Sequence, residues 1–137
     1  MRYMMMVKAD RNSETGRNYE AGAPPDPKLM AAIGKHSDEM TKAGVLLETG
    51  GLLPSSKGVR VRAAGGQLTV TDGPFIESKE LIGGYGILEA GSKQEAIELG
   101  KAFMKIHVDV LGPSYQGELE IRQMFDGSEC DPGATKH

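Results

Sequence analysis

The sequence has little of several features that would narrow its class. It holds one cysteine, Cys130, and no tryptophan, and aromatic residues make up only 5%. A single cysteine excludes an internal disulfide framework and fits a reducing compartment. No apolar run approaches the ~18–20 residues of a membrane span, and the first residues lack the cleavage site of a signal peptide. We therefore expect a cytoplasmic protein that does not enter a membrane.

Charge and spacing exclude further classes. The 16 basic and 19 acidic residues give a net charge of −3, without any basic block, so nucleic-acid binding is not expected. The three histidines, His36, His107 and His137, lack metal-ligand spacing. No glycine-rich loop matches a phosphate or dinucleotide fingerprint. We expect neither a metal nor a cofactor.

The 137 residues are enough for one domain, which we place at 1–125, followed by a flexible polar tail at 126–137. Apolar spacing predicts two amphipathic helices, one over residues 27–42 and one that starts at residue 92 and becomes irregular from residue 106. A helix that stops there would leave His107 at the surface, as we expect, whereas a longer helix would make it a second inward histidine, four residues after Phe103. Alternating or continuous apolar residues predict strands over 2–8, 45–48, 59–62, 68–71, 81–89 and 118–125.

Short local signals support these boundaries. Asp26-Pro27 is typical of a helix start, and Ser92 with Glu95 forms a capping box. Gly65-Gly66 between two alternating strands predicts a tight hairpin turn. Gly50-Gly51 is expected to end the strand at 45–48. In the last strand, Leu119, Ile121 and Phe125 are expected to be half-buried.

The order of elements predicts an α+β fold, a ferredoxin-like plait with an inserted β-hairpin. Two one-sided helices must cover one face of an antiparallel sheet. The other face would carry apolar residues from Met4–Met6 and Ile87-Leu88. A face of that kind needs a cover, so we expect a homodimer that packs sheet against sheet as an α+β barrel, with a cavity between the subunits.

The segment from Val70 to Tyr85 contains Asp72-Gly73-Pro74-Phe75 followed by Glu-x-Lys-Glu. This motif resembles the signature of the DGPF-domain branch of the YCII-related family. Residues 2–8, 43–47, 58–62 and 117–123 resemble the same branch, so the likeness covers roughly residues 2–125.

The resemblance implies a dimeric α+β barrel and, for most members, no assigned function. Some relatives are thought to use a His–Asp pair in the barrel cavity, and one dehydrochlorinase of chlorinated aromatic intermediates belongs to the wider family. DGPF members often have genes beside those of sigma factors, which suggests regulation of transcription.

His36 and Asp72 are the candidate catalytic residues. His36 falls within the apolar arc of the first helix, and imidazole titrates near neutral pH. It is either a proton-transfer group or a core histidine bonded to a backbone carbonyl. Asp72 either orients His36, abstracts a substrate proton, or simply forms a turn with Gly73 and Pro74.

The candidate ligand-binding residues are Gly73, Pro74, Phe75 and Tyr85. Phe75 would line the cavity or pack in the core. Tyr85 has glycines on both sides, which permit close approach of a ligand.

Two hypotheses follow for the function, and both assume a homodimer with an unknown small molecule. The first is cofactor-free acid–base chemistry by Asp72 and His36. The second is a non-catalytic ligand-binding or regulatory module linked to sigma-factor control.

Overall fold

A computed structural model of the chain describes residues 1–9, 18–75 and 80–125. The predicted tail at 126–137, with Cys130, lies outside these residues. So do residues 10–17 of the loop that precedes the first helix, and the Glu-x-Lys portion of the motif after Phe75.

The described residues form six strands and two helices in the order β-α-β-β-β-β-α-β. They are β1 (Arg2–Lys8), α1 (Pro27–Lys42), β2 (Leu46–Gly51), β3 (Val59–Ala64), β4 (Gln67–Asp72), β5 (Ile82–Glu89), α2 (Lys93–Leu111) and β6 (Leu119–Gln123). Short 3₁₀ turns lie at Tyr19–Ala21 and Ser55–Lys57.

Four strands form one antiparallel sheet in the order β2-β5-β1-β6. Strands β3 and β4 form a separate two-stranded sheet. Without that hairpin, the chain reads β-α-β-β-α-β with its first and third strands at the centre of the sheet. This is the predicted ferredoxin-like α+β plait with an inserted hairpin.

The core lies between the helices and one face of the four-stranded sheet. Tyr3, Met5 and Leu88 project from this face and are buried together with Ala90 and Ala96. On α2, Gly100 lies so close to β6 that an added Cβ would stand 2.8 Å from Ile121 Cδ1. The absence of a side chain there lets the helix pack directly on the strand.

The helix ends follow their local signals. The Asp26 carboxylate accepts hydrogen bonds from the N–H groups of Lys28 at 2.8 Å and Leu29 at 3.1 Å. Ser92 Oγ accepts from Glu95 N at 3.1 Å. These bonds satisfy backbone donors that the first turn of a helix leaves free.

The β3–β4 hairpin has the predicted turn, since Gly65 and Gly66 both have positive φ, at 59° and 76°. Such a turn matches the twist of the flanking strands. All twelve residues of the two strands are exposed, six in each. One face of the hairpin carries an apolar stripe of Val59, Val61, Leu68 and Val70.

Three local predictions were wrong. Helix α2 does not become irregular at residue 106 but continues to Leu111 and ends at Gly112, whose φ is +83°. Strand β2 runs through Gly50-Gly51 because both glycines pair with β5. Strand β6 ends at Gln123, which leaves Phe125 69% exposed instead of half-buried.

Within the described residues, neither helix is long and apolar enough to span a bilayer.

Candidate ligand cavity

A cavity of about 600 Å³ lies between α1 and the helix-covered face of the sheet. The predicted apolar stripe of α1 forms one wall, with Leu29, Ile33, His36 and Met40. This cavity belongs to a single chain and lies on the helix side of the sheet. The predicted cavity between two subunits would lie on the opposite side and stays a prediction.

Two glycines of β5 provide much of the space. Gly84 pairs with Val7 and Gly86 pairs with Met5, so both positions face the helices. A Cβ at Gly86 would stand 3.5 Å from Leu46 Cδ1 and would project into the cavity wall. Strand β5 thus presents bare backbone beneath α1, so no β5 side chain fills the cavity at these two positions.

His36 lies in the cavity wall, where the helical spacing predicted it. Its side chain is half-buried and forms no hydrogen bond with any described residue. Among the described residues, no backbone carbonyl bonds the His36 ring, as the alternative of a core histidine would require. Its imidazole nitrogens can bond a molecule in the cavity.

The described core does hold a histidine of that kind, and it is His107. Its side chain is 6% exposed, and Nδ1 donates to the Phe103 carbonyl oxygen at 3.1 Å. Its ring stacks on Tyr115 with centroids 5.3 Å apart. Burial lowers the pKa of His107, against a smaller opposite effect of the Phe103 bond, so the ring is neutral at pH 7. The expectation of a surface histidine was wrong because α2 is longer than predicted.

Tyr19 supplies a third polar group to the cavity wall. It lies in the 3₁₀ turn ahead of α1, and its hydroxyl oxygen is buried without a hydrogen-bond partner among the described residues. Buried polar groups are nearly always bonded, so this hydroxyl is a distinctive feature of the cavity.

The Asp72–Phe75 turn lies outside the cavity wall and fastens the base of the hairpin. Ser55 Oγ accepts from Phe75 N at 2.9 Å, and Gly73 N donates to the Gly58 carbonyl at 2.9 Å. A Cβ at Gly73 would collide with the carbonyl oxygen of Ser55. Gly73 is thus required for close packing of the turn on the 55–58 segment.

Ser55 joins this turn to the cavity rim. Its backbone N–H donates to Glu20 Oε1 at 3.0 Å, and its hydroxyl donates to the same oxygen. Glu20 follows Tyr19 and also lines the cavity. The hydroxyl of Ser55 therefore bonds both the motif and the loop that carries Tyr19.

The predicted pair of Asp72 and His36 is not assembled in the described residues. Asp72 is exposed at the end of β4, and its carboxylate makes no hydrogen bond with a described residue. Phe75 is buried under the Arg60 guanidinium, 3.8 Å from the ring centroid, and belongs neither to the cavity wall nor to the core cluster. Pro74 is exposed next to it.

Tyr85 contributes to the cavity wall through its place in β5, but its hydroxyl lies elsewhere. The alternation along β5 directs its side chain to the face away from the helices, where its hydroxyl donates to Glu48 Oε1 at 3.2 Å. The charge of Glu48 raises the pKa of Tyr85.

The two charged side chains of the described cavity wall, Lys8 and Glu20, both have partners, with Ser55 donating to Glu20, and this favours an uncharged ligand. Lys8 lies at the edge of the cavity, but its ammonium is paired with Glu120 at 3.4 Å and Glu80 at 3.8 Å. No group of three potential metal ligands occurs within residues 1–9, 18–75 and 80–125.

Sequence reasoning missed Tyr19 and gave His107 the wrong environment. For His107, the inward alternative rested on its position four residues after Phe103, and the structure has that arrangement because α2 continues to Leu111. Tyr19 lies in a polar, turn-rich segment where no periodicity marks an inward residue.

Comparison with known proteins gives two findings. The model of the YCII-related domain matches residues 1–106. An uncharacterised protein of Rhizobium meliloti (strain 1021) is 28% identical over 76 residues, which are 56% of this chain and 61% of that protein. The matched region therefore spans less than two thirds of that relative.

Proposed function

The chain belongs to the YCII-related domain family, and on that premise we propose that it binds a small, largely apolar organic molecule in the cavity beneath α1. We further propose that His36 transfers a proton to or from this molecule without a cofactor. The observation that carries the proposal is the half-buried imidazole, unbonded to described residues, in an otherwise mainly apolar wall.

The physical basis is the half-buried position of the His36 imidazole, whose nitrogens are not bonded to any described residue. A cavity of about 600 Å³ falls in the range of small-molecule sites. A positioned histidine is the most common general acid or base, and it contributes typically ~10²–10⁴-fold to rate. Asp72 remains a proposed partner of His36 only in a conformation that brings the end of β4 closer to α1.

A second candidate is a ligand-binding module without turnover. It is favoured by the position of Asp72 and Phe75, since the motif serves to fasten the hairpin and does not meet His36 in the described residues. The proposed link to sigma-factor control and a cytoplasmic location would fit this candidate.

Binding is tested first with a neutral fluorescent probe, N-phenyl-1-naphthylamine. Ser37→Phe places a ring at a cavity-lining position of α1, whereas Thr41→Phe places the same ring one turn later at an exposed position outside the wall. We expect Ser37→Phe to weaken probe binding at least about tenfold and Thr41→Phe to leave it unchanged. Equal binding by all three proteins would refute the cavity as the site.

Turnover is tested by hydrogen–deuterium exchange at the carbon atoms of small keto acids, lactones and phenols. The exchange is monitored by NMR. If His36 transfers protons, the wild type accelerates exchange of at least one compound and His36→Gln loses about 10²-fold or more of that rate. Binding of a compound without exchange of any of them would favour the second candidate.

We also propose a homodimer formed through the sheet face away from the helices. Met4, Met6 and Ile87 form its half-buried apolar centre, and Glu48, Glu120 and Arg122 surround it. An apolar centre with a charged rim is the usual anatomy of an interface.

Light scattering tests this assembly. We expect a mass of two chains for the wild type and of one chain for Ile87→Lys, whereas Leu68→Lys on the hairpin should remain a dimer. A wild-type mass of one chain at micromolar concentration would contradict the proposal, and a monomer only for Leu68→Lys would place the interface on the hairpin.

A further inference from the structure

We infer that Tyr19 and His107, which both line the cavity, form a hydrogen-bonding subsite for one hydroxyl group of an uncharged, otherwise apolar ligand. This inference rests on the proposed binding function and specifies the class of ligand. It uses two groups that the proposed proton transfer at His36 does not need.

The topology brings both groups to one edge of the sheet. Helix α2 starts after β5 ends at Glu89, opposite Arg2, and runs back toward the pair of Val7 and Gly84. Its last turns, with His107, therefore lie at the edge where β1 ends. The loop that carries Tyr19 leads into the start of α1 from the same edge, and both residues line the same cavity.

His107 defines the direction of one hydrogen bond. Because Nδ1 donates to the Phe103 carbonyl, Nδ1 carries the proton of the neutral ring. Nε2 is then an acceptor, and it has no hydrogen-bond partner among the described residues. A ligand group that satisfies Nε2 must donate.

Tyr19 contributes the second bond. Its buried hydroxyl can donate or accept and is unpartnered among the described residues. A hydroxyl on the ligand donates once and accepts at its lone pairs, so one such group can donate to His107 and accept from Tyr19. A carboxylate cannot donate, and it would meet no unpaired lysine or arginine in the described wall, where Lys8 is held by two carboxylates.

The subsite makes a prediction with opposite signs for stability and binding. Removal of an unsatisfied buried hydroxyl should stabilise the free protein. If the same hydroxyl bonds a ligand, its removal should lower the affinity for that ligand. We expect Tyr19→Phe to raise the melting temperature slightly and to weaken 2-naphthol about tenfold. Binding of naphthalene should not change.

The experiment measures the affinities of 2-naphthol, naphthalene and 2-naphthoate for the wild-type protein, Tyr19→Phe and Tyr3→Phe. Tyr3→Phe is the matched control, since Tyr3 is buried in the core and does not line the cavity. The wild type should bind 2-naphthol about tenfold or more tightly than the other two compounds, and Tyr3→Phe should keep that order. His107→Phe, which keeps an aromatic ring and removes Nε2, should weaken 2-naphthol selectively.

The outcomes separate this inference from the proposed function. If the wild type binds naphthol and naphthalene equally tightly, and Ser37→Phe blocks the binding of both, the hydroxyl subsite is overturned. The cavity would then remain a binding site. Tightest binding of naphthoate would also overturn it. If Tyr19→Phe lowers stability and leaves naphthol binding unchanged, the tyrosine is structural. If the wild type binds neither these three compounds nor the neutral fluorescent probe, both proposals are refuted.

Discussion

The four-stranded sheet and the β3–β4 hairpin are built from similar sequence but lie in opposite environments. In the sheet, Leu88 is 7% exposed because α2 and the neighbouring strands cover it. In the hairpin, Leu68 is 74% exposed, and it shares its face with Val59, Val61 and Val70. Alternation of apolar and polar residues specifies a strand with two different faces. It does not specify what covers the apolar face.

The means of attachment differ as well. The sheet is held by burial of its central strands against two helices. The hairpin is held at its base by hydrogen bonds from Gly73 and Phe75 to the 55–58 segment, and by the Arg60 guanidinium over the Phe75 ring. Loss of one group should therefore affect the two regions very differently.

The largest expected difference comes from one substitution made in both regions. Leu88→Ala should lower the free energy of unfolding by about 2–5 kcal/mol, because it leaves a cavity in the core. Leu68→Ala should change it by less than about 0.5 kcal/mol, because its side chain is already in water. Urea denaturation of both variants measures this. A large cost for Leu68→Ala would show that a second chain covers the hairpin.

A smaller effect is expected where the hairpin is fastened. Gly73→Ala should cost about 1–3 kcal/mol, since the new methyl group must displace the Ser55 carbonyl. Gly34→Ala is the control, because nothing lies within 4 Å of its added Cβ and alanine favours a helix interior by up to about 1 kcal/mol. Thermal melting should thus shift in opposite directions. A neutral Gly73→Ala would mean that the turn does not depend on this close approach.

A third test concerns the protonation of His107, which is buried in the helix-covered region. Burial lowers the pKa of His107, so the unfolded chain takes up a proton more readily than the folded one. The stability that this histidine contributes is complete above about pH 6.5 and is lost as the pH falls through the folded-state pKa. Urea midpoints measured from about pH 7.5 to about pH 5.5 should fall in the wild type.

His107→Phe should reduce that pH dependence, whereas His36→Phe, at the half-buried position on α1, serves as the comparison. An unchanged slope in His107→Phe would show that other groups cause the acid destabilisation.

Much of the fold was predictable because local chemistry and periodicity agreed. Asp26-Pro27, the Ser92–Glu95 box and Gly65-Gly66 marked element ends, and each signal acts through the backbone of its own turn. Helical spacing also predicted that His36 lies on the inward face of α1, and the tertiary structure put a cavity beneath that face. Membership of the YCII-related family, expected from the motif, was confirmed.

The environment of the polar groups was not predictable in the same way. Whether Asp72 meets His36 depends on how the hairpin stands relative to α1, and no local pattern encodes that distance. The Tyr19 hydroxyl became notable only because the tertiary structure buried it without a partner. His107 was placed at the surface because the chain was expected to become irregular at residue 106, whereas α2 continues up to Gly112.

By itself, the sequence determined which segments form helices, strands and turns, though not the ends of α2, β2 and β6, since these elements depend on neighbours a few residues apart. It also marked an apolar face on both helices and on the alternating strands. Only the tertiary structure decided which faces are covered, where the cavity lies and which polar groups surround it. Those properties depend on contacts between residues far apart in the chain, whose energies no local pattern records.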